Sequence, residues 1–343
     1  MKILYGIQGT GHGHLSRARE ILPELSKAAE VDVLMSGTNC RMTLHGQKVT
    51  QRRGLTLAYD SKGGVSYLKT ALELNPIQVL KDIQTLEIRQ YDLVISDFEP
   101  ISSWAAIKSG ITCIGMSHQA AFLSDRTPRP SAISKVSEQI LRRFAPCHRP
   151  IGFHFLRYDP FIEGPIIRSD IRQLNPSEGE HITVYLPAFD HETLASIFSK
   201  FRQVRWEIFS PLCDSAYTRG NITIRPVGNG SFLQSLESSI GVITSAGFET
   251  CAEAIYLGKK LMVVPIKNQY EQLCNAEALK KMGVPVAQIT DHSFSKNVQQ
   301  MLTTTHRHRL PEIANAEQIT KLLLRFAGKK SALQEIQHIH SRS

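Results

Sequence analysis

The stretch Ile240–Val284, IGVITSAGFETCAEAIYLGKKLMVVPIKNQYEQLCNAEALKKMGV, contains two short apolar runs, each followed by a helical pattern. Gly241–Thr244 and Lys260–Pro265 are bounded by Gly and polar residues. Such runs read as strands of a parallel sheet covered on both faces. Glu249–Leu257 and Tyr270–Met282 read as the helices that follow. The first strand ends in Ser245-Ala246-Gly247, and small residues at a strand-to-helix turn make a phosphate cradle. Glu249 and Glu253 lie one turn apart on one helix face. Glu253, a turn inside the helix, carries a carboxylate suited to a bidentate grip on a ribose diol. The second strand delivers Asn268-Gln269-Tyr270-Glu271-Gln272, and acids and amides of this kind hold vicinal hydroxyls. Solvated charges on a capped helix would explain Glu249 or Gln269 singly, but not the ordered set.

The same alternation runs through the rest of the chain. In the second half, strands are expected at Ile182–Leu186, Trp206–Phe209, Ile222–Arg225 and Val284–Ile289. Helices are expected at Glu192–Phe201, Ser231–Ser238, Lys296–Leu302 and Ala316–Phe326. In the first half, strands are expected at Lys2–Gln8, Val31–Ser36, near Val49, at Leu55–Tyr59, Asp92–Asp97 and Ile111–Ser117. The helices there are Leu15–Ala29, Ile77–Ile88 and Ile101–Ser109. Alternation at this pace implies right-handed βαβ crossovers. With 343 residues, the chain exceeds the ~250–300 at which single cores stop growing. The expected fold is therefore α/β, with two Rossmann-like doubly wound domains facing a central cleft. They span residues 1–160 and 161–330, followed by a polar tail, 331–343. Pro160, Gly164 and Pro165 mark the seam.

Composition narrows the function. At 42% hydrophobic and 21% charged, the chain is not a disordered one. No apolar run reaches the ~20 residues of a membrane span, and the N-terminus lacks a secretory pattern. The six cysteines form no Cys-x-x-Cys pair, which speaks against a metal cluster or a disulfide framework and for a reducing, cytoplasmic setting. The net charge of +9 suits an anionic partner. Nucleic acid is disfavoured, because the excess is spread and no zinc-finger spacing or RNP-type strand is present.

The first strand runs into Gly9-Thr10-Gly11-His12-Gly13-His14. Gly11 and Gly13 let the backbone approach an anion at a helix N-terminus. A dinucleotide fingerprint fails here, since His14 stands where the third glycine belongs and Ser36-Gly37-Thr38-Asn39 lacks the ribose-binding acid. No Gly-Lys-Ser/Thr follows, which excludes a Walker loop. His14, in the first helical turn, points at the crevice above the strand ends. The partial positive charge there favours a neutral ring, fit to accept a proton. Asp97 and Glu99 follow the strand DLVIS at the same end of the sheet, where ligands bind. Helix capping before Pro100 is an equal reading for Asp97. His118 is a weaker candidate, a single histidine at a strand end.

Gly247, then Glu253, Val263-Val264-Pro265 and Glu271-Gln272-Leu273-Cys274-Asn275-Ala276, follow one another in an order that resembles the donor block of GT-B glycosyltransferases using nucleotide sugars. These include plant and antibiotic-tailoring transferases and the bacterial enzyme that adds N-acetylglucosamine to the lipid-linked peptidoglycan precursor. Gly11 to Arg17, Gly-x-Gly-His-x-x-Arg, resembles their N-terminal block. The resemblance implies an acceptor domain at the N-terminus and a donor domain at the C-terminus. Glu253 would bind the ribose, Ser245, Ala246 and Gly247 the diphosphate, and Gln269, Glu271 and Gln272 the donor sugar. The loop Pro226–Phe232, with Val227, Gly228 and Phe232, would frame the base, uracil by expectation. Many relatives have histidine where this chain has Ser245, so the diphosphate charge falls to helix dipoles or to a basic residue such as Lys267 or Arg168.

The expected activity is that of a hexosyl- or N-acetylhexosaminyltransferase, inverting by resemblance. Its co-substrate is a UDP-sugar, no further cofactor is needed, and the absence of an Asp-x-Asp triad argues against a metal. His14 is the expected base, with Asp97 as its orienting partner or the alternative base. The acceptor is a glycan, lipid or small molecule. A basic segment, Arg126–Arg149, interleaved with Ile133, Val136 and Ile140, suits either a solvated helix face or an anionic membrane on the inner face of the cell envelope. UDP-sugar 2-epimerases share the architecture, but their Ser-Gly-Gly-x-x-Glu-Glu turn fits Thr244–Glu253 poorly. A non-catalytic nucleotide-sugar sensor is the other alternative.

Overall fold

The computed structural model describes residues 1–9, 12–37, 49–52 and 75–328. The expected strand Leu55–Tyr59 and the tail 331–343 lie outside them. Among the described residues, seven parallel strands form the first sheet: β1 (Lys2–Gln8), β2 (Glu30–Ser36), β3 (Val49–Arg52), β4 (Leu93–Asp97), β5 (Cys113–Ser117), β6 (Arg149–Phe153) and β7 (Ile162–Glu163). Their order is β3-β2-β1-β4-β5-β6-β7. The second sheet contains β8 (His181–Tyr185), β9 (Arg205–Ser210), β10 (Tyr217–Arg219), β11 (Ile222–Pro226), β12 (Gly241–Thr244) and β13 (Lys260–Val263). Its order is β10-β11-β9-β8-β12-β13, and β10 alone runs antiparallel to its neighbour. Two Rossmann-like lobes result.

In each sheet the strand order reverses once, between β1 and β4 and between β8 and β12. Loops leaving the C-terminal ends of such neighbours part to opposite faces and open a crevice. The two glycine turns singled out in the sequence follow β1 and β12. β1 is buried from Ile3 to Gln8, as a central strand covered on both faces must be. Gly6 lets the helix Pro100–Ser109 lie close, since a Cβ there would meet the Ser102 hydroxyl and the Glu99 carboxylate.

The strands depart from the sequence-based expectation in two places. Val284–Ile289 forms no strand, only a single bridge between Val286 and Val263. Pro285 has no N–H to extend a ladder, although its carbonyl accepts from Val263 N. β6 and β7 carry no clear strand signal, because Arg-Pro-Ile-Gly-Phe shows neither alternation nor a clean apolar run. The expected boundary at residue 160 precedes β7, which still pairs with β6. The last described helix, Ala316–Gly328, returns to the first lobe, with Ile319 and Leu323 in the same core as Leu15, Ile21 and Leu25. Among the described residues, no helix is long and apolar enough to cross a membrane.

Candidate active site

The crevice of the first sheet lies between the turn after β1 and the loop after β4. The helix His12–Ser26 starts at the first, carrying His14 and Arg17 one turn apart on one face. Gly11 lies outside the described residues. Asp97 ends β4, and Phe98 then takes a left-handed φ of 54°. A non-glycine residue there costs about 1–3 kcal/mol and is found disproportionately at functional sites. It separates two carboxylates that the sequence reading had grouped together.

Asp97 turns to the crevice and is fully buried. His14 Nδ1 lies 2.7 Å from Asp97 Oδ1. An ionised carboxylate only accepts, so Nδ1 carries the hydrogen and Nε2 is left to take a proton. Arg17 donates from Nε to Asp97 Oδ2 at 2.8 Å and from Nη2 to Oδ1 at 2.9 Å. Burial by itself raises the Asp97 carboxyl, but Arg17 and His14 outweigh it and hold the carboxyl below the ordinary range. The pair expected from sequence is thus brought together, and Arg17 is a third member that the sequence reading left without a role. Its spacing of three from His14 was the available signal.

Glu99 turns the other way. It caps the helix Pro100–Ser109, accepting from Ile101 N at 2.8 Å and Ser102 N at 2.7 Å. The Ser36 and Ser102 hydroxyls each donate to it at 2.5 Å. The capping role weighed for Asp97 therefore belongs to Glu99, which is fully buried and has no free lone pair directed at the crevice. Burial raises its carboxyl despite these four donors. Glu99→Ala removes a cap and strands two buried hydroxyls, and is expected to cost about 2–4 kcal/mol of stability. Urea unfolding measures this; unchanged stability would return Glu99 to the list of candidate bases.

In the second lobe, Gly247 caps the helix Phe248–Tyr256 with no side-chain hydrogen bond, and a Cβ on it would meet nothing within 4 Å. The helix N-terminus therefore offers free N–H groups to an open space. Ser245 and Ala246 are buried, and Asn275 Nδ2 pins the turn by donating to Ala246 O at 3.0 Å. In the sequence Asn275 stands out only as one residue of the run Glu271–Ala276. Glu253, also buried, receives Arg168 Nε at 2.7 Å and Nη2 at 3.3 Å. Burial raises its carboxyl and Arg168 partly opposes this. Arg168 Nη1 also donates to Asn229 Oδ1 at 2.8 Å, within the loop Pro226–Phe232. In that loop Val227 is exposed, Gly228 caps the helix Asn229–Ser238, and Phe232 packs edge-on to Tyr185 and Phe209. Gln269 starts the helix Tyr270–Lys281 as its N-cap residue. Gln272 is turned inward, its Oε1 accepting from Ile266 N at 2.9 Å, and Glu271 accepts from Gln119 Nε2 at 3.0 Å. Lys267 is exposed.

The lobes meet across these groups. Arg17 Nη1 donates to Glu249 Oε1 at 3.3 Å, and a Cβ on Gly13 would lie 2.4 Å from the Glu249 carboxyl carbon. His118 is a bridge. Its Nδ1 is 2.8 Å from Phe153 O, its Nε2 2.9 Å from Asn275 Oδ1, and its ring stacks on Phe248 at 4.0 Å.

The sequence profile of glycosyl transferase family 1 matches residues 1–305. The chain belongs to this family. Among solved structures, the family 1 chain is similar to the glycosyltransferase SnogD from Streptomyces nogalater, at 17% identity and a TM-score of 0.57, over 97% of this chain and 95% of that one. MurG of Acinetobacter baumannii matches at 14% identity and TM-score 0.58, over 94% and 99%. A UDP-glucosyltransferase from Polygonum tinctorium matches at 14% and 0.59, over 98% of both chains. At these identities the likeness shows the GT-B fold. No curated protein sequence matches the chain significantly. The family 1 assignment and the GT-B fold make the protein a glycosyltransferase.

Proposed function

We propose that the protein moves a hexosyl or N-acetylhexosaminyl group from a UDP-sugar to an acceptor hydroxyl by direct inverting displacement, with no metal ion. The observation that carries this reading is the contact of the His14–Asp97 turn with the first turn of the Glu253 helix, at Gly13 and Glu249. A base and an anion-binding helix end thus share one cleft. His14 Nε2 removes the acceptor proton, the freed oxygen bonds to the anomeric carbon, and the bond from that carbon to the diphosphate oxygen breaks. The N–H groups beyond Gly247 take up the charge on the departing UDP. The ribose diol takes Glu253 from Arg168, whose guanidinium then faces the diphosphate and supplies the cation that Ser245 lacks. Gln269 and Glu271 hold the sugar, and Gln272 steadies the loop before them through its bond to Ile266 N. The neighbour named a UDP-glucosyltransferase supports the choice of uridine.

A thermal-shift panel of nucleotides and nucleotide sugars tests the donor. Ligand at ~100 times its Kd should add about 2.7 kcal/mol of stability. UDP compounds are expected to stabilise most and NAD not at all; a response to NAD alone would overturn the reading.

The acceptor is proposed to be lipid-linked or part of a cell-envelope glycan, reached from the inner membrane face. Ile133, just before the helix Lys135–Arg143, and Val136 within it are each 59% exposed, in a segment that also carries Lys135 and Arg143. Arg142 and Arg129 are partly neutralised by Asp125 and Glu138. Replacing Arg142 and Arg143 by Glu should release the protein from anionic vesicles at low salt. Unchanged sedimentation with vesicles would remove the membrane from the account.

A further inference from the structure

Arg17 is 5% exposed, yet its guanidinium reaches both lobes. Two of its nitrogens bind the two Asp97 oxygens, and the third reaches Glu249. The ring of Phe153 lies 5.3 Å beneath it. A planar fork held on three sides fixes the plane of the carboxylate it grips, which an ammonium does not do. Asp97 Oδ1 is the oxygen shared by Arg17 and His14, so that plane also sets the direction of the imidazole.

Glu249 stands in the first turn of the helix whose N-terminus is the proposed diphosphate seat. A carboxylate there is favourable to the helix dipole but repels a diphosphate. Arg17 offsets that charge from the opposite lobe. The contact is close because Gly13 has no side chain: its absent Cβ would overlap the Glu249 carboxylate. Glu249, Arg17, Asp97 and His14 thus form one unbroken chain from the donor lobe to the base.

We propose that Arg17 is a positioning residue that ties the orientation of the His14–Asp97 pair to closure of the donor lobe, with Glu249 as its anchor across the cleft. The proposal rests on the donor reading above for its functional meaning, and on geometry alone for the coupling. In the free enzyme, closure is maintained by Glu249; with donor bound, the diphosphate presses the Glu249 carboxylate towards Arg17 and the base is held in line.

The test is the hydrogen-bonded Nδ1–H proton resonance of His14 in histidine-labelled protein, identified by its loss in His14→Gln. Glu249→Gln keeps a partly exposed side chain of the same shape, so it is the variant suited to folding. It is expected to broaden or shift this resonance without nucleotide, and to abolish the further change that UDP causes in the parent protein. UDP affinity is expected not to weaken, while kcat for UDP release falls about ten- to a hundredfold. Arg17→Lys is expected to lose the resonance altogether. An unchanged His14 resonance in Glu249→Gln, with the UDP-induced change intact, would overturn the coupling. If the parent protein bound no nucleotide but Glu249→Gln still moved the resonance, the coupling would stand and the donor reading would fall.

Discussion

Replacing His14 by alanine is expected to lower the rate of sugar transfer by about 10²- to 10⁴-fold while leaving UDP-dependent stabilisation in place. In the proposed mechanism His14 takes the acceptor proton on Nε2, because Asp97 holds its Nδ1 at 2.7 Å. Removing the ring deletes the proposed proton acceptor but leaves the helix N-terminus at Gly247 and the Glu253 carboxylate untouched. UDP release from the donor, followed with a coupled assay, reads the rate, and thermal shift reads the binding. A variant with full turnover would move the base elsewhere. A variant that also lost UDP binding would make His14 a donor ligand.

Glu253→Ala should have the opposite signature. The parent protein at ~100 Kd of UDP gains about 2.7 kcal/mol. Two charge-assisted hydrogen bonds to a ribose diol are worth about 1.5–3 kcal/mol each, so their loss weakens binding at least a hundredfold. The same UDP concentration then yields about 0.4 kcal/mol, a shift at the edge of detection. Arg168, deprived of its partner, keeps only Asn229. A Glu253→Ala protein that retained the full UDP shift would show that the ribose sits elsewhere.

Much of this architecture was legible because central parallel strands are apolar throughout. β1 and β12 coincide with their expected bounds, Lys2–Gln8 and Gly241–Thr244. The strand ends then located the glycine turns, and the reversal of strand order brought His14 next to Asp97. Side-chain direction was less legible. Asp97 and Glu99 are two residues apart, and nothing in the sequence said that Phe98 would turn left-handed and assign one to the cleft and the other to a cap. Partners distant in sequence were also beyond reach. Arg17–Glu249 and Arg168–Glu253 join residues 232 and 85 positions apart, so spacing along one helix cannot disclose them. Val284–Ile289 failed as a strand through Pro285, a local rule outweighed in the sequence reading by the apolar run around it.

A crystal structure with UDP bound is the most direct test of the central claim. The diphosphate should lie within hydrogen-bond distance of the N–H groups that begin the helix Phe248–Tyr256, and the ribose on Glu253, with the Arg168 pair displaced. UDP bound in another cleft, or at this one with Glu253 still closed on Arg168 and the helix end empty, would contradict it.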